Sequence, residues 1–351
     1  MFDLVSTLIA AASKPSPATY AFTANHADLS VSALSIATPS SISFTSELTD
    51  ATYLVNPVEI VVDRKALVAW VCATGYVTAI NVSNPASMAR LGQYSWTPKS
   101  IAIDTDNSLI LALGGTNADL RAISTTNTAT PSSPGSVDIS AATYVASGPF
   151  SVALDVTARV AYCMVADPGG TGPVRIVAVD YSNPASMSVL STVNLTNAGS
   201  SSVTGGMALH SDRQTLFVAY GAGDFSVVNV SNPAAIAESY NYTSLFTAGG
   251  PGRVSYLPSG HVLVCASSDD AMKTLNVSNL ASVTVTDTES GATYLDACRG
   301  HAVDPYNGNI YVAGADGDDF SSYSCSAGTM TFLNNYTSAT NINEPRCVAL
   351  L

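Results

Sequence analysis

Positive charge is what this 351-residue chain most lacks: 13 Lys and Arg stand against 26 Asp and Glu, and charged residues make up 11% of it. The basic residues are scattered singly, so the clusters that neutralise nucleic-acid phosphates are missing and nucleic acid is excluded as a partner. A polybasic membrane anchor is excluded for the same reason. No apolar run approaches the roughly 20 residues of a membrane-spanning helix. The six cysteines include no CxxC pair, which argues against zinc or thioredoxin-like chemistry. Cys72, Cys163 and Cys265 sit in the apolar runs AWVCA, VAYCM and VLVCA, where thiols act as small core hydrophobes. No disulfides are expected, which fits folding in a reducing compartment. A basic leader region is also lacking. The stretch MFDLVSTLIAAASKPSP is expected to be a short docking helix over residues 1–16, with Val5, Leu8 and Ile9 at helical spacing, rather than a signal peptide.

Motifs of catalysis are equally scarce. There is no G-x-S-x-G elbow, no H-E-x-x-H and no phosphate loop. The four histidines, His26, His210, His261 and His301, fall in different repeats. His301 is expected to be a satisfied core imidazole.

What the chain has in abundance is internal repetition. Six segments, beginning VEIVVD, KSIAID, FSVALD, GGMALH, GRVSYL and RGHAVD, each read as an apolar strand, a polar turn and a second apolar strand. Their end-of-strand residues are Asp63, Asp104, Asp155, His210, Leu257 and Asp304, spaced by 41 to 55 residues as four-stranded blades require. A third strand and a shared turn follow in INVSNPASM, VAVDYSNPASM, VVNVSNPAAI and TLNVSNLASV. Pro after Asn fixes the turn and ends the strand. Tyr/Thr-rich fourth strands complete the pattern. Six blades account for residues 57–343, and the leftovers complement each other. The tail EPRCVALL reads as a lone first strand, and the segment from Thr19 to Thr49 reads as strands two to four. The expectation is an all-β, seven-bladed propeller over residues 17–351, closed by joining the C-terminal strand to the N-terminal strands, which leaves no open sheet edge.

The third-strand motif resembles the LVIVD repeat family, whose repeats carry an apolar run, then Asp, Val, Ser and Asn/Asp-Pro. Asp180 keeps the family's Asp, whereas Asn81, Asn229 and Asn276 replace it. The resemblance implies the propeller architecture and surface or secreted settings, and it assigns no activity.

Two constellations stand out. Arg253, Arg299 and Arg346 lie at or just before the innermost strands of blades five, six and seven, and Glu59 holds the corresponding place in blade one. Such a group could recognise an acidic ligand through bidentate guanidinium contacts; it could equally be a structural network stitching the closure blade to its neighbours. The second constellation is acidic. Asp28, Asp119, Asp167, Asp224, Asp269, Asp270, Asp316, Asp318 and Asp319 fall in the turns between strands two and three. Hairpin-turn chemistry explains them. The sharper reading is a calcium or cationic-partner site at Asp316, Asp318 and Asp319, although that run lacks the full spacing of a calcium loop. No other cofactor is implied.

These features lead to the expectation of a binding or structural module rather than an enzyme. It would be displayed on a virion, as a capsid decoration or tail appendage, or on a cell surface in adhesion. Its top face would meet a protein or glycan, and its N-terminal helix an assembly partner. The alternatives are a propeller hydrolase or lyase with a top-face Arg/Asp site, and a cytoplasmic protein-interaction scaffold.

Overall fold

The computed structural model describes residues 16–115, 118–139, 151–165, 173–196, 205–210, 212, 214–221, 223–247 and 250–351. The helix expected at the N-terminus and Asp167 lie outside these residues. The described strands form seven four-stranded antiparallel sheets, six of them made of consecutive strands. The seventh runs in the order Pro345–Leu350, Tyr20–Asn25, Ser30–Ser35, Ser43–Thr49, so the C-terminal strand is innermost and the N-terminal strands complete the blade. Leu350 pairs with Ala21 and Cys347 with Ala24 across that joint. No described helix is long and apolar enough to cross a membrane.

Alternation within strands explains why the sheets stand on edge around an axis. The second strand of blade one, Val68–Ala73, is buried on both faces, as are Leu109–Gly114, Val160–Val165 and Thr215–Tyr220. Each face packs on a different neighbour. The apolar residues therefore divide into seven clusters among the described residues, one between each pair of successive blades. Trp70 and Cys72 fill the first interface together with Ile101 and Ala112, and Tyr311 and Phe320 fill the sixth together with Val348 and Leu350. All six cysteines are thiols; Cys72, Cys163 and Cys265 are buried in second strands.

The repeated polar residues serve the turns. Oδ1 of Asp63 accepts from the backbone N–H groups of Lys65 and Ala66, and Asp155 does the same for Thr157 and Ala158. Four residues after each strand-ending position the chain turns left-handed, at Leu67 (φ 55°), Ser108 (φ 51°), Arg159 (φ 55°) and Gln214 (φ 49°). At the third-strand turn, Asn81, Asp180, Asn229 and Asn276 each accept from the N–H two residues on. Only Oδ1 is used, so Asn replaces Asp at no structural cost.

Links between blades are fastened by a recurring hook. Thr78 Oγ1 donates to the carbonyl of Tyr53 (2.7 Å), Ser321 Oγ to that of Tyr294 (2.9 Å) and Tyr220 OH to that of Thr196 (2.7 Å). Lys273 Nζ reaches Leu245 O, and Ser32 Oγ reaches Asn341 O, in the same sense. In every blade the third and outer strands slip register at one bulge. Bulges increase local twist.

Candidate functional site

Counting back four residues from the end-of-strand position gives one ring of residues around the axis: Glu59, Ser100, Ser151, Gly206, Arg253, Gly300 and Cys347. Two of them are glycines for a steric reason. A Cβ on Gly206 would lie 2.6 Å from Gly252 O, and one on Gly300 would lie 2.5 Å from Arg346 O. Inner strands of neighbouring blades approach each other closely at both positions, and a side chain there would run into the next strand's backbone. Arg253 reaches from blade five across the ring to blades seven and one. Its NH1 donates to Cys347 Sγ at 2.6 Å and its NH2 lies 3.5 Å from Glu59 Oε1. Glu59 Oε2 accepts from Ile101 N–H at 2.8 Å, so both carboxylate oxygens are held.

One residue earlier on the inner strands stand Lys99, Arg299 and Arg346. Arg346 is tied to Glu344 Oε1 through its Nε at 3.1 Å and through NH2. Lys99 and Arg299 are exposed and have no ion pair among the described residues. These side chains line a cavity of about 360 Å³. Four of the chain's 13 Lys and Arg line it, against one carboxylate, Glu59, among the described lining residues. The cavity is therefore a cationic enclave in a chain of net charge −13.

The local fields follow from this arrangement. A Cys347 thiolate would raise the Arg253 guanidinium most, but with that thiol protonated it is Glu59 that holds the cation against the opposing effect of burial. Burial pushes the Cys347 thiol up, with Arg253 pulling the other way, so it is protonated at neutral pH. Burial, and then Arg346, lower His26, which keeps that ring neutral.

Of the residues singled out from sequence, Arg253, Arg299, Arg346 and Glu59 do converge, with Arg253 one position deeper than the other two arginines. Sequence reasoning missed Lys99, Cys347 and the approach of His26. The first two could have been found by counting back from Asp104 and from the C-terminus. His301 is not the satisfied core imidazole expected. It is fully buried, its Nδ1 lies 3.5 Å from Cys265 Sγ, and its Nε2 has no partner among the described residues.

The acidic turn at Asp316, Asp318 and Asp319 does not gather into a cation cage. Asp318 Oδ1 accepts from Glu344 N–H at 2.8 Å, and the buried Asp319 accepts from Asn335 Nδ2 at 3.1 Å and from Thr337 Oγ1. Asp316 N–H bonds to Asp296 O. Among the described residues, no group of three or more His, Cys, Asp or Glu could hold a metal ion.

Gly300→Ala tests the close approach on the axis. The added methyl meets a backbone oxygen that cannot rotate away, so the inner strands must part. Overpacking of this kind costs about 1–3 kcal/mol. A urea melt should show that loss, whereas an unchanged midpoint would mean that the strands have slack.

A family model described as the LVIVD repeat matches residues 216–244, the second to outer strands of blade four. A search of curated proteins found no match. Among solved structures, a protein from Lactobacillus plantarum aligns with TM-score 0.77 at 12% identity, over 96% of this chain and all of that one. A putative 6-phosphogluconolactonase from Bacteroides fragilis aligns with TM-score 0.76 at 9% identity, over 97% of this chain and 99% of its own. The periplasmic gluconolactonase of Pseudomonas aeruginosa aligns with TM-score 0.74 at 11% identity, over 96% and 99%. At such identities the likeness shows the fold. The expectation of a module without enzymatic activity is nonetheless corrected, because proteins named as lactonases share this architecture almost end to end. The charged groups of the axial cavity meet only across the axis, from separate blades, so no local motif marks them. The matches give no support to a virion or adhesion role. The chain is a β-propeller of seven four-stranded blades, and its residues 216–244 match the LVIVD repeat.

Proposed function

We propose that this propeller hydrolyses the lactone of an acidic sugar in its axial cavity. The observation that carries the reading is the pairing of one fixed carboxylate, Glu59, with a concentration of cations in an otherwise acidic chain. A volume of about 360 Å³ suits a single small molecule. The names of the Bacteroides fragilis and Pseudomonas aeruginosa proteins supply the reaction class.

In the proposed reaction, Lys99, Arg299 and Arg346 bind the substrate's anionic group and set its carbonyl toward Glu59. The Glu59 carboxylate accepts a proton from a water molecule as the water oxygen attacks the carbonyl carbon. Guanidinium N–H groups stabilise the oxyanion that forms. The ring C–O bond then breaks, and the proton held by Glu59 passes to the leaving alkoxide. The net change is lactone plus water to hydroxy acid. Arg253 and the Ile101 N–H keep the carboxylate in place.

Continuous assay of 6-phosphogluconolactone and of uncharged gluconolactone, each against its spontaneous hydrolysis, tests the proposal. The anionic substrate should be turned over faster, and the preference should weaken as salt screens the cavity. No acceleration of either lactone would overturn the reading.

A further inference from the structure

The closure blade carries a second polar site, on the face that it turns toward blade six. Thr23, Asn25, Ser30 and Ser32 are fully buried there. The register sets Thr23 beside Ser32 and Ser32 beside Glu47 across three adjacent strands, with Asn25 beside Ser30 two residues along. Asn25 Nδ2 donates to Ser30 Oγ (3.1 Å) and Ser32 Oγ (2.8 Å), which fixes the amide and uses its donor side. Its Oδ1 is left without a partner, as are Thr23 Oγ1, Glu47 Oε1 and Asp28 Oδ2. These are four of the nine buried side-chain N and O atoms in that condition among the described residues, all within residues 23–47.

Such a concentration calls for an occupant. Each buried polar group left unpaired costs about 1–3 kcal/mol. Asn25 Oδ1 and the two carboxylate oxygens can only accept, and one water molecule has two protons to give. Burial raises Glu47 and Asp28 adds to that rise, against a hydrogen bond from Ser30, while neither carboxylate forms an ion pair among the described residues. What would satisfy all of them is a positive charge that takes several oxygen ligands at once. Two carboxylates, an amide oxygen and a hydroxyl are the hard, mixed set that calcium accepts in flexible geometry, with water completing the shell.

We propose that a calcium ion binds at the seam between blades six and seven, held by Asn25, Asp28 and Glu47 with Thr23 alongside. The site differs from the turn at Asp316–Asp319 and is independent of the axial cavity. Its position gives it a task. Asn343, in the link leading into the C-terminal strand, donates to Asp28 Oδ1 at 3.0 Å, and Asn341 O accepts from Ser32. The ion would fasten the N-terminal strands of the closure blade to the segment that delivers its inner strand.

The full chain, stripped with EDTA and dialysed, is titrated with calcium chloride by calorimetry and melted with and without it. One site per chain is expected, with the melting temperature raised by about 4 °C at a hundredfold excess over Kd. Glu47→Gln keeps the shape of the side chain and should abolish both signals; Asp28→Asn gives the same reading if the first variant fails to fold. Absence of binding at millimolar calcium overturns the proposal and leaves a protonated Glu47 with water. A calcium response that survives both substitutions also overturns it.

Discussion

A chain shortened by residues 344–351 is expected to be insoluble or rapidly degraded, because it loses the inner strand of the blade that closes the ring. Val348 is 1% exposed, and Cys347, Ala349 and Leu350 are nearly as deeply buried. They sit between the sixth and seventh interfaces of the propeller, in two of its seven apolar clusters. Removing the strand strips Tyr20–Asn25 of its inner partner and takes Val348 and Leu350 from the apolar cluster that blade six shares with blade seven. Two clusters then open to water together with the backbone groups of one sheet edge, in a molecule whose whole stability is on the order of 5–15 kcal/mol. Newly exposed strand edges also template aggregation. Expression followed by limited proteolysis reads the outcome directly. A truncated chain with the same cooperative melt as the full one would contradict the order of strands in the closure blade.

Glu59→Gln should lower kcat for an anionic lactone by a factor of about 10² to 10⁴, the usual contribution of a positioned general base. KM should change little, because the binding cations are untouched. The variant retains an oxygen for the Ile101 N–H, so the inner strand of blade one keeps its anchor. Arg299→Met is the complementary change: it should raise KM for the anionic lactone and leave that for the uncharged one nearly constant. This division between kcat and KM separates a catalytic Glu59 from a merely structural Arg–Glu network. Equal kcat values for Glu59→Gln and the unaltered chain would remove Glu59 from the chemistry.

The architecture was legible because its signals are local and repeated. An apolar strand, an Asp that accepts the N–H groups of the following turn and an Asn-Pro turn recur through the chain. The leftover ends could only fill the gap that those repeats defined. The convergence of Arg253, Arg299, Arg346 and Glu59 was visible as a coincidence of strand position. What the spacing could not convey was depth along the axis. Arg253 sits one rung below Arg299 and Arg346, at the level of Cys347 and Glu59, which it reaches across the ring. The axial cluster carries no sequence motif for that reason: it is assembled only when the ring closes. The polar seam of the closure blade was hidden differently. In TYAFTANHADLSVSAL the alternating Thr, Asn and Ser have the pattern of a strand with one face in solvent, whereas blade six covers that face.

The most direct measurement is a crystal structure of the full chain with 6-phosphogluconate, the hydroxy acid of the anionic lactone. The ligand should lie on the axis, its anionic group against Lys99, Arg299 and Arg346 and its carboxyl end within hydrogen-bond reach of Arg253 and Glu59. A ligand bound elsewhere on the propeller, or an empty axial cavity at saturating concentration, would contradict the assignment of the site.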